Sequence, residues 1–159
     1  MDTPTDELED TMAARPIDQE IDIDAPRERV WDVLTGDATY RQWTAEFAEG
    51  SYAETDWQQD SSVRFLGPDG TGLLGRVVVS RRPELLDVEY DGVVGAGRDD
   101  TTSELARGWA GSHETYRLAE ADGGTHLVIS APMEDAYYDD MVEAWGRALA
   151  KVKELAEAR

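Results

Sequence analysis

The sequence predicts an α+β fold in which a curved antiparallel sheet of six to seven strands wraps around a long C-terminal helix, with two short helices after the first strand. Three observations carry this. Strand-period stretches recur at short intervals from Ile17 to Ala131, with turn residues between them. Helix-period stretches interrupt them just after the first strand. The chain then closes on one helical stripe, Met141, Trp145, Ala148, Leu149, Val152 and Leu155. A sheet whose apolar face is covered by one amphipathic helix must curl around it, and curling leaves space between the two.

Residues 1–16 are acid-rich and aperiodic and are expected to form a flexible tail ahead of a single domain over 17–158. Ile17, Gln19, Ile21 and Ile23 alternate with Asp18, Glu20, Asp22 and Asp24, the pattern of a half-solvated strand. Pro26 suits a first helical turn, and Val30, Trp31, Val33 and Leu34 form the apolar stripe of a helix that Gly36 and Asp37 stop. A second short helix over about 38–47 would bury Tyr40, Trp43 and Phe47. Strands are expected near 50–55, 62–67, 72–81 and 85–91, with turns at Pro68-Asp69-Gly70 and Arg82-Pro83-Glu84. The glycine-rich stretch 92–108 reads as a long flexible connection. Strands near 109–119 and 125–131 flank Ala121-Asp122-Gly123-Gly124, a hairpin signal. The last helix is expected from about Asp135 to Ala158, its N-terminus favoured by Glu134, Asp135, Asp139 and Asp140.

Asp and Glu total 35 against 15 Lys and Arg, a net charge of −20, with lysine only at 151 and 153 and no asparagine. The acids run through the whole chain. Such a surface repels itself in dilute buffer and is tolerated when molar salt shortens the Debye length to about 3 Å. A salt-adapted, haloarchaeal origin is the expectation, an acidic mesophilic protein the alternative. Nucleic acid is disfavoured as a partner, since phosphate contacts need clustered basic residues. No apolar run reaches the roughly 20 residues of a membrane span, and the N-terminus lacks a signal-peptide pattern, so a cytoplasmic location is expected without membrane insertion. With no cysteine, thiolate chemistry and Cys-ligated metal sites are excluded.

The chain resembles the START-like, or helix-grip, superfamily (SRPBCC), in its branch named for the activator of heat-shock-protein ATPase, also called polyketide-cyclase-like. The residues that carry the resemblance are Ile23-Asp24-Ala25-Pro26 with Val30-Trp31, then Tyr40-x-x-Trp43, and Gly72-x-x-Gly75-x-Val77 ahead of Pro83. Gly124-Thr125-x-Leu127 and Trp145-x3-Leu149-x2-Val152-Lys153 complete it, over about residues 17–158. One departure is Trp145-Gly146, where relatives usually place the glycine first. The resemblance implies a helix-grip fold and a cavity between sheet and final helix. It brings no shared catalytic motif, because the family includes hydrophobic-ligand carriers, polyketide cyclases and hydratases, and co-chaperone domains.

Candidate chemistry is sparse. His113-Glu114 lacks the second histidine of an H-E-x-x-H site, and two histidines in the chain rule out a three-histidine metal centre. The Asp122-Gly123 turn sets a register in which Leu127, Ile129 and Ala131 share a face with Leu118, Tyr116 and Glu114. Glu114 would then point inward as a weak catalytic candidate, acid or base, or as an anchor for a polar group. Alternatively it lies at the mouth, solvated or paired with Arg76 or Arg107, and a one-residue slip would put His113 inside instead. The expected ligand-binding residues are Tyr90, Trp109, Glu114, Tyr116, Met133, Tyr137, Met141 and Trp145, with Trp57 beside them. Trp31 and Trp43 read as ordinary core. Ser112 and its neighbour His113 point to opposite faces, so no nucleophile pair forms, and Gly95-Ala96-Gly97 reads as loop. Three functions stay open: binding of a small hydrophobic or aromatic molecule, a cofactor-independent cyclase, dehydratase or hydrolase, and a chaperone-associated interaction module. No cofactor is called for, and the assembly is expected to be a monomer or homodimer.

Overall fold

The computed structural model describes residues 15–158. The expected tail thus lies outside the described residues up to Ala14, whereas Arg15 and Pro16 already belong to the first strand. That strand, β1 (Arg15–Ile23), leads into α1 (Arg27–Thr35) and α2 (Asp37–Thr44), then β2 (Tyr52–Glu54), β3 (Ser62–Leu66), β4 (Gly72–Arg81) and β5 (Leu85–Gly95). After β6 (Arg98–Asp100) and α3 (Glu104–Trp109) come β7 (His113–Ala121) and β8 (Gly124–Met133). A single 3-10 turn at Asp135–Tyr137 enters the long helix α4 (Tyr138–Glu157). The antiparallel order is β1-β8-β7-β5-β4-β3-β2, with β6 added to β5 off that path. Seven strands therefore curl around α4, the helix-grip architecture.

Expectation and structure part over 92–108. Val93 and Val94 continue the alternation of β5 instead of leaving it. Ala96 and Gly97 take positive φ and turn the chain into β6. Ser103 then caps α3, its hydroxyl accepting from the Ala106 amide at 3.1 Å. Glycine-rich composition hid a hairpin and a helix because glycines supply the tight turns between them.

The inner face of the sheet and one face of α4 make the core. Leu86, Val88, Leu118, Leu127 and Ile129 face Trp145, Ala148, Leu149 and Val152, all buried. Removing Leu149 or Val152 from water contributes roughly 2 kcal/mol each as an upper figure. The helix is also tied at both ends. Gln19 on β1 donates to the Val142 carbonyl at 2.8 Å. Arg29 on α1 donates from Nε to the Ala156 carbonyl at 3.1 Å and from its terminal nitrogen to the carbonyls of Leu155 and Ala158. A guanidinium at a helix C-terminus satisfies carbonyls that no intrahelical amide reaches, and complements the helix dipole.

Glycines set how tightly the strands approach. A Cβ at Gly72 would lie 1.7 Å from the Phe65 carbonyl oxygen, and one at Gly124 would lie 2.4 Å from that of Ile23. The first and last glycines of the sequence motifs are thus contact points between neighbouring backbones.

Candidate functional site

The hairpin turn at Asp122-Gly123, both at positive φ, fixes the β7–β8 register as Thr115↔Ser130, Tyr116↔Ile129 and Leu118↔Leu127. Alternation then puts Glu114, Tyr116 and Leu118 on the inner face. On the other side of β7, Val88↔Glu114 pairing brings Tyr90 of β5 alongside. Glu114 is 9% exposed and Tyr90 and Tyr116 less. His113 faces outward, bonded through Nδ1 to Asp87 at 2.7 Å, and Arg76 pairs with Glu89 at 3.7 Å. The inward reading of Glu114 therefore describes the structure, and neither the slipped register nor a pairing with Arg76 does.

The Tyr90 hydroxyl donates to one oxygen of Glu114 and the Tyr116 hydroxyl donates to the other. Burial pushes the Glu114 carboxyl above its ordinary pKa, while the two tyrosine hydrogen bonds act against the shift by favouring the charged form. Burial and then the charge of Glu114 push both tyrosines well above theirs, so they stay protonated donors. Tyr40 is raised for the same two reasons.

These groups form one wall of a cavity of about 230 Å³ between the sheet and α4. Aromatic rings form much of the rest. Trp145 on α4 and Phe47 after α2 stack edge to face at 4.9 Å, and Trp43 on α2 lies 6.1 Å from Trp145. Phe65 on β3 approaches Tyr90 at 6.2 Å, and Met133 and Met141 line the end towards the start of α4. Trp145 thus borders a void instead of filling it.

The expected residues divide. The structure gathers Tyr90, Glu114, Tyr116, Met133, Met141 and Trp145 around this cavity. It does not place Trp109 or Tyr137 there. Trp109 ends α3 behind the Tyr90 ring, at 5.9 Å, and Tyr137 sits in the 3-10 turn with 60% of its surface exposed. Both instead border an outer groove that shares Phe47, Met133 and Met141 with the cavity. Trp57 packs on Tyr40 and Phe65 without lining the void. Trp31 is core as expected, whereas Trp43 is both core and cavity wall. Tyr40, Phe47 and Phe65 are cavity walls that sequence reasoning missed. The available signal was the spacing of Tyr40, Trp43 and Phe47 around one helix, but spacing shows that a face is buried and not what lies against it.

No metal or cofactor is implied by this donor set. Among the described residues, no three His, Asp or Glu side chains converge as metal ligands. Chemically, the arrangement offers a mainly apolar cavity with one carboxyl and tyrosine hydroxyls at one wall.

A curled sheet gripping a helix over an apolar cavity defines a helix-grip, START-like domain of the polyketide-cyclase-like type. The family model described as "Activator of Hsp90 ATPase homolog 1-like protein" matches residues 24–157, and the chain belongs to that family. Among solved structures, it is similar to CalU16 from Micromonospora echinospora at 19% identity and TM-score 0.62, covering 91% of this chain and 77% of that one. It is similar to MLL2253 from Mesorhizobium loti at 18% identity and TM-score 0.66, covering 89% and 96%. A third is the Aha1 dimer from Colwellia psychrerythraea, at 15% identity and TM-score 0.65, covering 90% and 96%. At these identities the likeness is one of fold. No curated protein matches the chain in sequence.

Proposed function

We propose that this protein binds a small aromatic or otherwise apolar molecule between the sheet and α4, with its polar group at Glu114. The observation that carries the reading is the cavity itself: about 230 Å³, walled by aromatic rings, with one buried carboxyl at its side. A void of that size is on the small side for ligand pockets and suits one or two fused rings, since an apolar cavity of about 150 Å³ already takes benzene. Large exposed apolar side chains among the described residues are Leu105 and Tyr137, which supports an internal ligand over an apolar docking face for a chaperone. The even spread of acids supports a cytoplasm rich in salt as the setting, as in a halophile.

A thermal-shift screen of one- and two-ring aromatics, phenols and short polyketides in molar KCl tests this. Occupancy at 100 times the dissociation constant stabilises by about 2.7 kcal/mol. No stabilisation by any compound, with Trp fluorescence unchanged, removes the reading.

A second reading has one specific support. A desolvated carboxyl with a raised pKa is a competent general acid or base, so cofactor-independent cyclisation or dehydration at Glu114 is the enzymatic alternative. Turnover abolished by Glu114→Gln while binding persists would favour it.

A further inference from the structure

Among the described residues, no cation pairs with the buried Glu114. Its hydrogen-bond partners are the hydroxyls of Tyr90 and Tyr116, which are neutral donors. Each hydroxyl carries one hydrogen, and both are spent on the carboxylate. What this trio has left to offer the cavity is lone pairs: those remaining on the two carboxylate oxygens and those on the two phenol oxygens. A wall made of acceptors, one of them ionisable, selects a donor and penalises a second acceptor, because a ligand carboxylate or carbonyl would face it unpaired.

Elsewhere the lining holds, among the described residues, one buried donor without a partner, the indole N–H of Trp43, which can meet an acceptor on the same ligand, while the rings themselves favour a cation. Trp43, Phe47, Phe65 and Trp145 present rings around the void, and aromatic rings attract a cation held within about 6 Å. The outer groove that shares Phe47, Met133 and Met141 with the cavity is bordered by Glu46, Glu134 and Asp140, and its one basic residue, Arg147, is paired with Glu46 at 3.4 Å. The groove beside the cavity is therefore acidic too.

We propose that the cavity selects an organic cation: a small aromatic molecule bearing a protonated amine or a comparable charged N–H group, held by Glu114 and the oxygens of Tyr90 and Tyr116. This rests on the binding function proposed above and specifies its ligand class.

Three probes of nearly equal size test it in molar KCl: benzylammonium, benzyl alcohol and benzoate. Binding is read by calorimetry and by the indole N–H resonances. Benzylammonium is expected to bind at least tenfold more tightly than benzyl alcohol, and benzoate most weakly. Glu114→Gln keeps the shape of the wall and removes its charge, so it should weaken benzylammonium at least tenfold and the alcohol by a smaller factor, closing the gap between them. The melting curve of the variant shows whether it folds, and Tyr90→Phe, which removes one acceptor oxygen and leaves the charge, should weaken benzylammonium by a smaller factor. If the alcohol or benzoate binds as tightly as the amine, or the preference survives in Glu114→Gln, the cation proposal is overturned while the cavity remains a binding site. If none of the three binds, the cation proposal also falls, and the wider apolar screen then decides separately whether the cavity binds anything.

Discussion

Ala131 gives a test of the void by the sign of its effect. It lies on the inner face of β8, 3% exposed, and lines the cavity. Ala131→Leu adds three carbons. Directed into 230 Å³ of apolar space, they gain about 0.8 kcal/mol each, or about 2.4 kcal/mol, against about 0.5–1 kcal/mol of lost rotamer freedom. Net stabilisation of about 1–2 kcal/mol is expected, together with weaker binding of any cavity ligand. In a filled interior the same substitution overpacks and costs about 1–3 kcal/mol. The two outcomes differ in sign. Urea unfolding in molar KCl measures the midpoint and slope, and Ala119→Leu on the exposed face of β7 serves as control, expected within about 0.5 kcal/mol of wild type. A destabilised Ala131→Leu, beside an unchanged control, refutes the claim that Trp145 borders empty space.

Glu114→Gln should stabilise the fold above the ordinary carboxyl range. A carboxyl raised by burial gives up stability as pH climbs from its unfolded value, near 4.5, through its folded one, so the variant's advantage should open across that window and vanish below it. An advantage independent of pH would contradict a desolvated carboxylate. His126, raised chiefly by its hydrogen bond to Asp22, should titrate above 6.5 by NMR and return towards it in Asp22→Asn. Its contribution is fully present below 6.5 and lost as pH rises through the folded value, and because the pair is exposed it should shrink in molar salt. Gly72→Ala should cost about 1–3 kcal/mol or more by prising β4 from β3, and an unchanged unfolding midpoint would show that the two backbones are not in close contact. The melting temperature should rise steeply from dilute buffer to about 2 M KCl, and a flat profile would end the salt-adapted reading.

The sequence by itself determined the element order outside 92–108, because periodicity reports burial on one side and needs no knowledge of the partner. It also determined the β7–β8 register, since Asp122-Gly123 admits few turn geometries, but it left the direction of Glu114 open, and the structure decided it as inward. It failed over 92–108, where glycines at turns and glycines in a flexible linker look alike until the pairing of β5 with β6 is seen. Only the tertiary structure decided which residues meet. Tyr90 reaches Glu114 from a strand 24 residues away, Phe47 and Phe65 close the cavity from the turn after α2 and from β3, and Trp109 and Tyr137 fall outside it. The reason is physical: a one-dimensional pattern encodes the face a residue presents, whereas the size of a void and the company of a carboxyl depend on sheet curvature and on how far α4 sinks into it.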